Sequence, residues 1–74
     1  MDLLHLGKEL KEMYLSSNHG EAVAMIHVFG IKYAKEIKNS GVSMKKIAQA
    51  AGIKESYATE ISKGVKLSKF VVIK

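Results

Sequence analysis

From Lys45 to Lys66 the chain gathers side chains of two chemical kinds. Lys54, Glu55, Ser56, Tyr57 and Thr59 place ammonium, carboxylate and hydroxyl groups in one short stretch. Groups of these kinds donate to, or accept from, the base edges exposed in a DNA groove. Lys45, Lys46, Lys63 and Lys66 are compact positive charges of the sort a phosphate backbone attracts. All twelve basic residues are lysine. The guanidinium fork that most often reads guanine is therefore absent, which weighs against strong G·C readout.

Such side chains need a scaffold, and residues 43–64, SMKKIAQAAGIKESYATEISKG, have the pattern of two helices joined by a tight turn. Ser43 is a preferred N-cap. Met44–Ala51 reads as a short helix with Ile47, Ala48 and Ala51 inward and Lys45, Lys46 and Gln49 outward. Ala48 is small where the two helices cross, and Gly52 reverses the chain where a Cβ is costly. Ile53 plugs the turn into the core. Lys54–Lys63 reads as the second helix, with Ala58 and Ile61 inward and Gly64 at its end. Its outward residues are Lys54, Glu55, Ser56, Tyr57, Thr59, Glu60 and Lys63, and the N-terminal ones would point deepest into a groove.

From about Tyr33 through Val65 the chain resembles the helix-turn-helix of the phage repressor and Cro family. The residues that carry the resemblance are Ser43, Ile47-Ala48, Gly52-Ile53, Glu55-Ser56, Ile61 and Gly64. The resemblance implies that Glu55 and Ser56 stand at base-reading positions. It implies a further groove-facing position for Thr59 and a phosphate-contacting one for Lys63. Glu55 is acidic where the family often has an amide; it accepts from cytosine N4 and is repelled by phosphate. Tyr57 is bulky where many members have a small residue. The stretches FGIKYA (29–34) and SYATEISKG (56–64) are also similar to small bacterial helix-turn-helix-like domains.

Charge agrees with this placement. Residues 1–40 balance five lysines against five acids, whereas residues 41–74 carry seven lysines against Glu55 and Glu60, so the whole +5 lies in the half that holds the motif. Concentrated positive charge favours polyanion binding through counterion release. At 74 residues the chain reads as one domain with a small core, too small for a deep enzyme pocket. There is no cysteine, hence no disulfide, thiolate nucleophile or cysteine zinc site. His5, His19 and His27 lack metal-ligand spacing, and Glu55 and Glu60 do not face each other as an acid–base pair. Nothing calls for catalysis, a cofactor, a metal or a small-molecule substrate. No run is long enough to cross a membrane, and the apolar N-terminus lacks the basic region and cleavage site of a signal peptide, so a cytoplasmic location is expected.

The remaining segments complete an all-α expectation. Asp2 caps a first helix whose stripe is Leu3, Leu6, Leu10 and Met13, with Gly7 as a weak point unless a neighbour packs closely there. Residues 16–20 read as a loop. Ala22, Met25, Ile26, Phe29, Tyr33 and Ile37 form the stripe of a central helix, broken at Gly30 or continuous; the alternative is a buried strand over Ala22–Phe29. Tyr33 on that stripe suggests partial burial. Gly41 suits positive φ at the helix end. Phe70–Ile73 is an apolar, β-branched tail that either tucks against its own core or pairs with another chain. Together these features point to a small helical bundle that binds double-stranded DNA as a transcriptional regulator or repressor, and as a homodimer through the tail. The alternative is a helical protein-interaction or oligomerisation module that does not bind DNA.

Overall fold

The computed structural model describes residues Met1–Lys74. It contains five α-helices and no strand: α1 Leu3–Leu15, α2 Ala22–Lys32, α3 Ala34–Ser40, α4 Met44–Ala51 and α5 Ala58–Leu67, with a 3-10 turn at Glu55–Tyr57 between the last two. Eleven buried apolar residues form one core, with contributions from every helix.

Local signals start and stop several of these helices. The Asp2 side chain accepts from the His5 backbone N–H at 2.9 Å and caps α1. The Ser43 hydroxyl accepts from the Lys46 N–H at 3.2 Å and caps α4. Gly41 and Gly52 end α3 and α4 in the left-handed region, at φ +71° and +76°. Leu6 and Leu10 drive α1 into the core, and Ile26, Phe29 and Ile37 do the same for α2 and α3. Each such side chain contributes about 2 kcal/mol on leaving water.

Three boundaries differ from the sequence pattern. The strand alternative over Ala22–Phe29 is excluded, because this stretch lies within α2. The central helix breaks at Tyr33 rather than at Gly30. The Tyr33 ring packs on Phe29 at 5.3 Å between centroids, and its hydroxyl donates to Glu9 on α1 at 3.2 Å. Tyr33 is thus anchored across the bundle at the point where its backbone leaves helical geometry.

Nor is the second motif helix a uniform helix over Lys54–Lys63 ending at Gly64. It opens as the 3-10 turn, becomes α-helical at Ala58 and runs on to Leu67. Gly64 lies inside it, against Gly30. A Cβ on Gly30 would stand 2.6 Å from the Ile61 carbonyl oxygen and 2.9 Å from the Gly64 Cα. These two glycines are therefore the contact at which α2 and α5 cross, and neither breaks its helix. Gly7 plays a similar part between α1 and α4, where a Cβ would stand 2.6 Å from that of Ala50.

After Leu67 the chain makes a hydrogen-bonded turn at residues 68–70, and residues 71–74 run without regular structure past Ile31 and Lys32 of α2. Phe70 is 82% exposed and Val72 85%, so neither packs onto the N-terminal helix of its own chain. No helix is long and apolar enough to cross a membrane.

Candidate nucleic-acid interface

The interface begins with the inward face of α4. Ile47, Ala48 and Ala51 are buried there, and the absence of a larger side chain at Ala48 lets the following segment pass close by. At Gly52 the chain turns, with its N–H donating to the Gln49 carbonyl at 3.0 Å and the Ile53 N–H donating to the Ala48 carbonyl at 3.1 Å. Ile53 is half-buried against the core. Lys54 is extended, and the Tyr57 N–H donates to its carbonyl at 3.0 Å to close the 3-10 turn. Ala58 then starts α5, which buries Ile61, Gly64 and Val65.

With these faces fixed, Lys54, Glu55, Ser56 and Thr59 are exposed at the start of the second motif segment, and Lys63 and Lys66 are exposed further along α5. Thr59, Lys63 and Lys66 recur at steps of four and three, which aligns them along one side of the helix. Lys45 and Lys46 are exposed on α4. The structure thus brings eight of the nine sequence-selected residues to the outer surface of α4, the turn and α5. The ninth, Tyr57, is half-buried, with its ring 5.9 Å from that of Tyr14 on α1.

Two acids on this surface are held in pairings that the sequence did not foresee. The Glu55 carboxylate accepts from the Gln49 side-chain amide and lies 3.5 Å from the Lys45 ammonium. The hydrogen bond from Gln49, then the Lys45 charge, holds Glu55 below the usual carboxylate range. Glu60 faces α2, with an oxygen 2.7 Å from His27 Nε2 and the other 3.3 Å from Lys63 Nζ. An ionised carboxylate only accepts, so His27 Nε2 carries the proton of that bond. Glu60 is lowered too, first by His27 and then by Lys63. Lys46, Lys54 and Lys66 have no ion-pair partner.

The Gln49–Glu55 contact could have been found by folding the five intervening positions around the Gly52 turn. The His27–Glu60 contact spans 33 positions and left no local signal. No three His, Asp or Glu side chains gather as a metal site.

A short first helix, a left-handed glycine turn and a second helix with a polar, lysine-bearing outer side define a helix-turn-helix domain. Residues 3–74 match the family described as HTH-like domain, and the chain belongs to that family. No curated protein and no solved structure matches it.

Proposed function

We propose that the domain binds duplex DNA with sequence preference, as a small non-enzymatic transcriptional regulator of the phage- or plasmid-repressor type, in the cytoplasm. The observation that carries this is the exposed polar side of α4, the turn and α5, which holds most of the chain's excess positive charge on a helix-turn-helix. The 3-10 turn and the first turns of α5 enter the major groove. Lys54, Glu55, Ser56 and Thr59 address base edges, with Tyr57 at the margin on its Tyr14 support. Lys45, Lys46, Lys63 and Lys66 lie along the phosphates. Lys63 is paired with Glu60 in the free protein and exchanges that carboxylate for a phosphate on binding, whereas Lys45 lies between Glu55 and the phosphates. With four phosphates engaged, log K falls against log salt with a slope of roughly −3 to −4. A gel shift against random duplex DNA across a salt series is the test. No binding at ~50 mM salt, or a flat salt dependence, refutes the proposal.

The domain acts as a homodimer that reads two half-sites about 34 Å apart. Support comes from the tail, where Val72 is exposed and Phe70 protrudes beside a hollow of about 360 Å3 that it lines with His27, Lys63, Lys66 and Leu67. The same tail favours a second reading, a protein-interaction module that does not engage DNA. In that case the gel shift is negative while self-association persists.

A further inference from the structure

We propose that Glu55 sets the base preference of this interface by accepting a hydrogen bond from a cytosine N4 amino group, and that Gln49 is its positioning residue. This rests on the DNA-binding proposal above. The argument begins with the type of hydrogen-bonding group each side chain offers. Lys54 only donates, and Ser56 and Thr59 both donate and accept, so hydroxyls at those positions tolerate either kind of base edge. Glu60 is turned toward α2, held by His27 and Lys63. Glu55 is left as the one acceptor-only side chain free to face a groove.

In the major groove only cytosine N4 and adenine N6 donate. Adenine carries its N7 lone pair beside N6, which repels a second carboxylate oxygen. Cytosine has a C–H beside N4, so its edge suits a carboxylate better. Guanine O6 and thymine O4 are acceptors and repel it outright.

The clamp from α4 makes this acid workable on a basic, phosphate-facing surface. Gln49 donates to one carboxylate oxygen and Lys45 lies 3.5 Å from the other, so part of the charge is offset before DNA arrives. Lys45 and Gln49 are four residues apart on α4, on one side of that helix. Both contacts come from the same rigid element, so the side-chain freedom a glutamate would lose on reaching a base is already restricted. Nearly half the Glu55 side chain remains exposed, at 48%, and a carboxylate has lone pairs to spare after two contacts.

The test is selection of randomised duplexes by the full chain, followed by competition binding with duplexes changed at one position. The wild-type protein is expected to enrich cytosine at one position per half-site, and replacing it with thymine to weaken binding by about fivefold or more. Glu55→Gln keeps the shape but adds a donor, so binding persists and the preference moves toward adenine, which an amide matches at N6 and N7. Gln49→Ala is expected to lower the cytosine-to-thymine ratio several-fold while leaving salt-dependent binding to random DNA in place. Glu55→Gln selecting the same bases as wild type overturns the base-reading role. An unchanged ratio in Gln49→Ala overturns the positioning role. Duplexes retained without enrichment at any position overturn the base-reading role, whereas a wild-type chain that retains no duplex at all overturns the DNA-binding proposal itself.

Discussion

His27 and Glu60 stand 33 positions apart and meet at 2.7 Å, and this pair is one of the contacts through which the domain responds to acid. Glu60 titrates below the ordinary glutamate value of 4.5 because His27, and then Lys63, stabilise its charged form. A carboxylate depressed in the folded state stabilises the fold fully above 4.5 and loses that contribution as pH falls through its lowered value. Glu55 acts with the same sign through Gln49 and Lys45. Glu60→Gln should therefore lower Tm near neutral pH and make it fall less between about pH 5 and pH 3, so the two curves converge in acid. Parallel curves would mean that the contact adds nothing to the folded state. From the sequence alone, Glu60 reads as a solvated helix acid and His27 as a surface or satisfied histidine. The second description fits what the structure shows. The first fails because the partner lies on α2, and a helix read in isolation cannot show which neighbour its side face meets.

At the scale of elements, glycine separates what local physics determines from what packing determines. By intrinsic propensity alone, Gly→Ala inside a helix is favourable by about 1 kcal/mol. At Gly30 a Cβ would meet backbone on every near side: the Ile61 oxygen at 2.6 Å, the Gly64 Cα at 2.9 Å and the Val65 nitrogen at 2.9 Å. Backbone does not rotate away, so overpacking outweighs propensity, and Gly30→Ala and Gly64→Ala should each cost about 2–4 kcal/mol in urea unfolding. A stabilised Gly64→Ala would show that the helices do not cross this closely. A similar contrast separates the motif's inner and outer faces. Ala48→Leu and Gly52→Val should cost about 2–4 kcal/mol, the first in a fully buried crossing and the second at a left-handed turn. Ser56→Ala and Thr59→Ala, on exposed positions, should stay within about 0.5 kcal/mol. The caps at Asp2 and Ser43, the turns at Gly41 and Gly52 and the inward stripes were legible because each follows from neighbours a few positions away. The break at Tyr33 and the run of α5 past Gly64 were not, because a ring anchored on another helix and a backbone crossing lie at those points and leave no local signal; the 3-10 opening at Glu55 left none either.

For the whole molecule, the proposed associations rest on the charge asymmetry and the exposed tail. Leu67, Phe70, Val71, Val72 and Ile73 are all exposed, with Lys66, Lys69 and Lys74 among them. A full-length protein that self-associates through this tail should sediment as a dimer at ~100 μM, above the micromolar range of useful association. Deleting residues 69–74 should return it to the monomer mass. A dimer that survives the deletion places the interface on α1, where Leu4 and Leu15 are exposed. Like-charged lysines near a shared interface repel, so added salt should strengthen this association while it weakens binding to DNA. The crossing of Gly30 on Gly64 bears on mechanics as well. Apart from the approach of Gly7 to Ala50, helices elsewhere in the bundle meet through side chains that yield by changing rotamer. Here no such compliant layer exists, so α2 and α5 behave as one stiff plate, with the His27–Glu60 bond as a second fastening along the same seam. A plate of this kind presents its outer surface to a target without first adjusting. It also has no partial way to open: amide protons at 27–31 and 61–65 should exchange with solvent at a common free energy, in a single cooperative step.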